Sequence, residues 1–509
     1  MSLLRAKHQQ YFFFVPLFTV QLLKLALFSV LLVFCAISGT LVATAAAASA
    51  ASAASTALAA FATVAAPEDA NDELITLVIG LLSDSDKDVR ALGFEQVRTD
   101  AKGKRATEQF AAQLSKLSPE AQVGLVAALA DRADTAARPA VIELVRGTKS
   151  LPVRAAALKA LGNLGSAVDV ALLLEYLEKT GEKAEDVELA TAARQGLSRL
   201  AGEDVSRAIA GALGKTTGTT RGSLIEVLVI RRATSAVPEL LPIATGKDTA
   251  GRVASMAALA QLASPSDMRG LLDGVLRATA GAERESAEKS VAQVCVRVED
   301  VDERAAVLLA EWRRRSAQEQ TLLLSVLGRV GGTAVREVLE KAIASRELTM
   351  HETGLRALCN WPDAKIAPRY LELLKAEEHE EHRTLLLRAL IRVAPLPDDR
   401  SAAERLALLS QCMQLSQRDA ERQLVLARVS AIRTVESLRF VVPYLDHQSL
   451  AKQACVAVVE LAHHRELRDA NKAEFEKVLD RVLLISDDAI VKDRATRYKK
   501  GQTWTRPTK

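Results

Sequence analysis

The feature that most constrains this chain is a repeated apolar helical segment, whose copies follow one another at nearly constant spacing. When the copies are aligned, equivalent leucine or valine positions lie 31 to 36 residues apart. A coiled coil would repeat every seven residues, and a single globular bundle would show no fixed long period. A period of this length predicts helical hairpins stacked in a row. The equivalent positions are Leu161, Leu197, Leu228, Leu259, Val291, Leu327, Leu358, Leu390, Leu426 and Val458.

The clearest copy reads LPVRAAALKALGNLG at 151–165 and is followed by SAVDVALLLEYLEK. In the first segment, Leu158 and Leu161 fall on one helical face and Gly165 is a helix stop. The second segment predicts another amphipathic helix, with Val168 on its apolar face. Extended over residues 67–490, the pattern predicts an all-α class, namely an α-solenoid of about a dozen hairpins. Aromatic residues make up only 4% of the chain, which disfavours a β-sandwich.

These copies resemble HEAT repeats, and in particular the phycobilisome-lyase subgroup of HEAT-like repeats. The resemblance covers nearly all of residues 67–509. It implies a helical solenoid in which the second helix of each repeat lines the concave side. The signature residues of tetratricopeptide and ankyrin repeats are absent. The motifs that carry the resemblance are Asp88-Val89-Arg90, Pro152-Val153-Arg154 and Ala160-Leu161-Gly162.

The N-terminus has the features of an export segment. Arg5 and Lys7 precede a mostly apolar stretch over residues 11–37. One interpretation is a signal peptide that is cleaved among the small residues that follow the stretch. The other is an uncleaved signal anchor, because residues 11–37 are long enough to span a bilayer and tether the chain to a membrane. Lys24 near the middle of the stretch favours cleavage. Both interpretations place the rest of the chain in the periplasm or cell envelope.

Composition divides the chain into four predicted regions. Of the 24 residues at 43–66, 21 are Ala, Ser or Thr, so this region has no apolar stripe to bury and is predicted to be a linker. The regions are a signal peptide or signal anchor at 1–42, the linker at 43–66, the solenoid at 67–490, and a capping helix end with a basic tail at 491–509.

Arginine recurs near the start of the second helix in several repeats. Two interpretations are open. The arginines could bind an acidic partner on the concave side, or they could form an internal ladder that bonds loop carbonyls and acids of the adjacent repeat. Arg90, Arg221 and Arg422 have similar positions. The candidate partner-binding residues are Arg154, Arg194, Arg252, Arg284 and Arg383.

Histidines next to acidic residues are the candidates for metal chemistry. His351-Glu352 is similar to the His-Glu pairs with which deoxyhypusine hydroxylase, a HEAT-like enzyme family, holds two irons. His379-Glu380 lies at a different offset from its own repeat's leucine, so the two pairs do not make a di-metal shell. His379 and His382 are neighbours on a helix, but no third ligand is evident. The sequence therefore predicts no metal site.

No other motif supports a catalytic or cofactor-binding site. Gly214-Lys215-Thr216 resembles the end of a P-loop, but Ile209 occupies the place of the required first glycine and no strand is predicted before it. The cysteines lack the spacing of a metal site or redox pair, and buried thiols are expected. Adjacent repeats could nevertheless bring Cys412 and Cys455 together as a disulfide.

The sequence therefore predicts a non-enzymatic scaffold of the cell envelope that binds a protein or peptide partner, acidic if the arginines contact it. Beyond residue 66 the chain has 64 basic and 63 acidic residues, so its charge does not favour nucleic acid. Two alternatives stay open: a HEAT-like lyase or metal-dependent enzyme, and a nucleic-acid-binding HEAT-like array.

Overall fold

The computed structural model describes residues 68–178 and 183–505, and all the regular secondary structure in these ranges is helical. The prediction of an all-α chain is confirmed for this part. The predicted export segment and linker lie outside the described residues. Among the described residues, no helix has both the length and the apolar character needed to cross a bilayer.

The helices of the first half are α1 (Glu68–Leu82), α2 (Lys87–Thr99), α3 (Lys104–Ala111), α4 (Pro119–Arg132), α5 (Arg138–Gly147), α6 (Leu151–Leu164), α7 (Val170–Glu178), α8 (Ala184–Arg199), α9 (Glu203–Ala212), α10 (Gly218–Ile230), α11 (Val237–Ala244), α12 (Thr249–Leu262), α13 (Met268–Arg277) and α14 (Ala282–Cys295). Those of the second half are α15 (Val301–Trp312), α16 (Ala317–Leu322), α17 (Leu324–Val330), α18 (Thr333–Ile343), α19 (Leu348–Leu358), α20 (Ala367–Ala376), α21 (Glu380–Val393), α22 (Ala402–Leu415), α23 (Asp419–Val429), α24 (Val435–Val441), α25 (Ala451–His463), α26 (Arg465–Ala470), α27 (Lys472–Ile485) and α28 (Ala489–Lys499). Short 3₁₀ turns lie at Leu114–Lys116, Thr135–Ala137, Ala167–Asp169, Leu213–Lys215, Thr234–Ala236, Pro265–Asp267, Ala364–Ile366 and Val442–Asp446.

The chain divides into two compact units after Val78. The described part of the first unit, residues 68–78, is most of α1. The second unit begins at Ile79 and contains successive helical hairpins. Each hairpin consists of a first helix and the second helix that follows it, for example α5 and α6. The second helices pack side by side in the order α4, α6, α8, α10, α12, α14, α17 and α19, and again as α21, α23 and α25.

Helix α6 shows how the repeat sequence produces this architecture. Pro152 lies in its first turn, where a backbone N–H has no acceptor within the helix, so the N–H that proline lacks costs no hydrogen bond. The side chains of Val153, Leu158 and Leu161 are fully buried, because their spacing puts them on one face. Gly165 follows the helix because a Cβ there would lie 2.7 Å from the Leu161 carbonyl oxygen. Its φ of −89° shows that it ends the helix by close approach and not by left-handed backbone.

The aligned apolar positions form the continuous core. All ten are 0% exposed, from Leu161 in α6 to Val458 in α25, which confirms the predicted alignment of the repeats. The prediction for Val168 is wrong, since this side chain is 72% exposed. It lies in a 3₁₀ turn ahead of α7, which begins only at Val170, so it does not share the helical face of Leu172.

The spacing between second helices is set by small residues and is not uniform. In α17, Gly328 packs against the backbone of Ala357 in α19, so closely that an added Cβ would lie 2.6 Å from the Ala357 carbonyl carbon. The next pair in the row differs, because the backbones of α19 and α21 stay further apart than those of the other neighbours. His351 near the N-terminus of α19 and His382 near the N-terminus of α21 both lie close to Glu377, which follows α20.

Candidate functional site

The arginines of the predicted ladder mostly bond backbone carbonyls of the segment that precedes their own helix. Arg154, the fourth residue of α6, donates from Nε to the Val145 carbonyl at 3.2 Å and also bonds the Thr148 carbonyl. Arg383, the fourth residue of α21, donates to the carbonyls of Leu374 at 2.7 Å and Glu377 at 3.0 Å. We call the arginines at this fourth position the capping arginines; they are Arg90, Arg154, Arg221, Arg252, Arg304, Arg383, Arg405, Arg422 and Arg468.

Two of the five candidate partner-binding residues depart from this position. Arg284 is the third residue of α14 and donates to the Ala278 carbonyl at 2.9 Å. The placement of Arg194 at a helix start is wrong, because α8 begins ten residues earlier at Ala184. Arg194 instead pairs with Glu226 of α10 at 2.8 Å, and its side chain is 41% exposed. Internal bonds thus occupy all five arginines, including Arg154, Arg252 and Arg383, and their role in binding a partner stays a prediction.

A second set of arginines joins neighbouring repeats and was not identified from the sequence. Arg132, at the end of α4, donates to the carbonyls of Val97, Asp100 and Ala101 of the preceding hairpin at 2.6–2.8 Å. Burial lowers the pKa of its guanidinium. The available signal was an arginine near the C-terminal end of the second helix, 29 to 37 residues beyond its carbonyl partners. We call these the inter-repeat arginines; they are Arg132, Arg231, Arg297 and Arg392.

An open groove crosses three consecutive second helices, α4, α6 and α8. Its volume is about 340 Å³. Ala127, Ala155 and Ala156 contribute to its lining, so little side-chain bulk stands between the groove and the helix backbones. The exposed charged residues along the groove are Asp131, Lys159, Glu188 and Arg199.

The charges along this groove differ in their availability. Asp131 accepts a hydrogen bond from Arg98 at 2.8 Å and is therefore already paired. Lys159, Glu188 and Arg199 are exposed and make no hydrogen bond or ion pair within the ranges that the structure describes.

A separate polar cluster lies between α19 and α21. His351 is in the first turns of α19, Glu377 directly follows α20, and His382 is the third residue of α21. Glu377 Oε2 lies 3.2 Å from His382 Nδ1 and 3.9 Å from His351 Nε2. One donor atom from each residue lies within 4.8 Å of the other two. The structure thus supplies the third potential metal ligand that the sequence did not reveal.

The cluster is held by hydrogen bonds from outside it. His351 Nδ1 lies 2.5 Å from the Ile343 carbonyl oxygen, which can only accept, so Nδ1 carries the proton. Glu377 Oε1 accepts the backbone N–H of His379 at 2.9 Å. Burial by itself raises the pKa of Glu377, but this N–H and the nearby His382 and His351 outweigh it and leave the pKa below its ordinary value.

The remaining motifs have structural environments. Lys215 ends a 3₁₀ turn after α9, and the Thr216 hydroxyl donates to the Ala212 and Leu213 carbonyls, so the segment forms no phosphate-binding loop. Cys412 and Cys455 are buried free thiols, which contradicts the disulfide considered for them. Burial raises the pKa of Cys412 to about 12, which makes this thiol unreactive.

Comparison with known proteins supports the repeat assignment. Residues 107–192 match the family description "HEAT repeats". No curated protein matches the chain in sequence at a significant level.

Several solved structures resemble the chain at low identity. Kap121p is 13% identical with a TM-score of 0.43; the match covers 87% of this chain and 54% of Kap121p, so the chain spans about half of that protein. An engineered protein is 17% identical with a TM-score of 0.25, covering 84% of this chain and 98% of the other. Human deoxyhypusine hydroxylase in complex with glycerol is 15% identical with a TM-score of 0.24, covering 58% and 98% respectively. These identities carry no activity over to this chain.

Proposed function

We propose that this chain, whose residues 107–192 match HEAT repeats, is a non-enzymatic scaffold that binds a segment of a protein partner along its second helices. The observation that carries the proposal is the groove across α4, α6 and α8. It crosses three consecutive repeats, and its charged residues include three without partners among those described. Repeat proteins commonly use such continuous surfaces for binding.

The groove favours an elongated partner segment with acidic side chains. Its small floor residues let a helix or an extended strand approach the solenoid backbone closely. Lys159 and Arg199 offer two free positive charges against the single free negative charge of Glu188. A partner carboxylate opposite Lys159 or Arg199 would therefore gain a charge-assisted hydrogen bond without breaking an internal one.

The proposed location is the cell envelope, with export directed by residues 1–42. The support comes from the basic residues and apolar stretch of the sequence. Expression of the full-length chain in its source cells, followed by fractionation and intact-mass measurement, tests this part. We expect recovery from the envelope fraction, with a mass that shows either removal of about 42 residues or an intact anchor.

The binding role is tested by charge reversal on the full-length chain. A partner captured from envelope extracts is identified, purified and titrated against the wild type and Lys159→Glu/Arg199→Glu. We expect the double variant to weaken binding at least tenfold, about 1.4 kcal/mol, and wild-type binding to weaken as salt concentration rises.

A matched control is Lys341→Glu/Lys375→Glu. These lysines are exposed on the first helices α18 and α20, so the charge change is the same but the surface is different. The control should bind as tightly as the wild type. Equal binding by the groove variant, folded as shown by circular dichroism, would reject the groove as the partner site.

One alternative function has an observation in its favour. The cluster of His351, Glu377 and His382 provides ligand types used by metal-dependent enzymes. Metal analysis combined with an activity screen would separate an enzyme from a scaffold that merely holds an ion. The nucleic-acid-binding alternative lacks support, because the part beyond residue 66 has no excess of positive charge to attract a phosphate backbone.

A further inference from the structure

We propose that His351, Glu377 and His382 form a binding site for one divalent transition-metal ion, with Zn²⁺ as the best-fitting ion. The site would join the start of α19, the end of α20 and the start of α21. It lies on different helices from the proposed partner groove and does not depend on that function.

The donor atoms are already close to the geometry that an ion requires. Zinc bonds of about 2.0–2.1 Å at tetrahedral angles place neighbouring ligand atoms about 3.3 Å apart. Glu377 Oε2 and His382 Nδ1 are 3.2 Å apart, and Glu377 Oε2 and His351 Nε2 are 3.9 Å apart. All three donor atoms lie within 4.8 Å of one another. Side-chain rotations that move these atoms by about an ångström would therefore place them at three corners of a tetrahedron.

The hydrogen bond of His351 selects the tautomer that a metal needs. Its Nδ1–H donates to the Ile343 carbonyl, so a neutral imidazole presents a lone pair at Nε2, toward Glu377. Metal-bound histidines commonly donate their second ring nitrogen to a backbone carbonyl in this way. A ligand oriented in advance loses less freedom when the ion binds.

The repeat architecture explains how a histidine comes to have this orientation. His351 is the fourth residue of α19, the position of the capping arginines in other helices. Its bond to Ile343, at the end of α18, corresponds to the bond from Arg154 to Val145 at the end of α5. An imidazole keeps the capping bond with one nitrogen and leaves the other for a ligand, which an arginine cannot do because it has no lone pair to offer.

Glu377 is also oriented by its surroundings. Oε1 is held by the N–H of His379, which leaves Oε2 directed at both histidines. The backbone carbonyl of Glu377 accepts from Arg383, so the segment after α20 is fixed at both its side chain and its main chain. The Glu377 and His382 side chains are 17% and 7% exposed, and this partial exclusion of water strengthens ion–ligand attraction.

The ligand set decides the class of ion. Two imidazoles and one carboxylate suit zinc and related first-row metals, whereas Ca²⁺ and Mg²⁺ prefer all-oxygen sites. Three protein ligands leave a fourth position for water or for a donor from another molecule. Because α19 and α21 are more widely spaced than other neighbours in the row, an ion held by both helices would connect them where backbone packing is weakest.

Isothermal titration of the full-length protein with ZnCl₂ tests the site. The protein is prepared without a polyhistidine tag, treated with EDTA and exchanged into chelator-free buffer. We expect one ion per chain, with a dissociation constant of about 1 µM or lower. Co²⁺ bound at the same site should give the intense visible absorption of a tetrahedral complex.

Three variants and one control identify the ligands. His351→Asn, Glu377→Gln and His382→Gln should each weaken Zn²⁺ binding about 100-fold or more, because even outer-shell changes cost 10- to 100-fold. His463→Gln is the control, since this exposed histidine bonds Tyr498 far along the sequence and should leave binding unchanged. His351 is more exposed than His382, so His351→Asn serves as the folded variant if loss of His382 unfolds the repeat.

The zinc titrations of the wild type and the variants either support the site or overturn it. Weaker binding in His351→Asn or Glu377→Gln with wild-type helicity, together with an unchanged control, supports the site. The proposal is overturned if the folded wild type takes up no stoichiometric Zn²⁺. It is also overturned if binding survives in His351→Asn and Glu377→Gln, or if only His463→Gln loses it.

Discussion

Replacing Gly328 by alanine is expected to destabilise the repeats around α17 and α19 by about 3 kcal/mol or more. An alanine Cβ would fall 2.6 Å from the Ala357 carbonyl carbon and closer still to its oxygen. Since these atoms belong to the backbone, no rotamer change relieves the overlap, and the two helices must separate. Native-state hydrogen exchange measures the effect locally, because repeat arrays need not unfold in one step.

Gly222→Ala in α10 provides the matched control for this prediction. Gly222 is likewise inside a second helix, but a Cβ there meets no atom within 4 Å. Alanine has the better helix propensity and lowers the entropy of the unfolded chain, so this variant should be stabilised by about 0.4–1 kcal/mol. Similar exchange protection in Gly328→Ala and Gly222→Ala would contradict the close packing of α17 against α19.

The second large effect is expected at the ion pair between Arg252 and Glu283. Arg252 donates Nε and a terminal nitrogen to the two Glu283 oxygens at 2.7 and 3.1 Å, and the side chains are only 5% and 9% exposed. Arg252→Leu removes the partner of a buried carboxylate and also the bonds to the Gly246 and Lys247 carbonyls. We expect a loss of about 3–5 kcal/mol, measured by urea denaturation and hydrogen exchange.

Two further variants show whether the unpaired charge is responsible. Arg252→Met/Glu283→Leu removes both charges and should recover most of the stability lost in Arg252→Leu. Lys289→Ala breaks the exposed pair with Glu285 on the same helix, where both side chains are more than half exposed, and should change stability by less than about 0.5 kcal/mol. A loss in the double variant as large as in Arg252→Leu would show that packing or the missing bonds to the Gly246 and Lys247 carbonyls, and not the unpaired charge, dominates.

The same pair predicts a pH dependence of defined sign. The hydrogen bond from Arg252 is the main cause that lowers the pKa of Glu283 from 4.5 to about 2. A carboxyl group with a lowered pKa stabilises the fold above its unfolded value, and this stabilisation is lost as pH falls. The difference in unfolding free energy between the wild type and Glu283→Gln should therefore be constant near pH 7 and shrink between pH 4.5 and 2. A difference that grows on acidification would contradict the assignment.

The solenoid could be predicted from the sequence because its core repeats locally. Burial at positions such as Leu161 and Leu358 depends on helical periodicity, and stacking preserves the same environment in each unit. The errors occurred where local structure departs from that period. Val168 lies in a turn instead of the expected helix, and Arg194 lies in a helix that begins earlier than its repeat suggests.

The candidate metal site was less accessible to sequence reasoning. Glu377 is 26 residues from His351, in the connection after α20, and carries no motif that marks it as a ligand. Its proximity to His351 results from the packing of three helices. The adjacent His379, which the sequence made prominent, supplies a backbone N–H to the cluster. A further clue in the sequence was that His351 occupies a position that elsewhere holds arginine.

The two arginine sets also bear on how such a chain can change in length. The bonds from the capping arginines to backbone carbonyls reach only five to ten residues back, whereas those of the inter-repeat arginines reach back by about one unit. Excising or duplicating one complete unit between equivalent positions would leave the arginines of these two sets opposite backbone carbonyls at equivalent positions. These backbone bonds are thus compatible with gain or loss of whole units, while a change of a few residues within a helix would move an inter-repeat arginine away from its carbonyls.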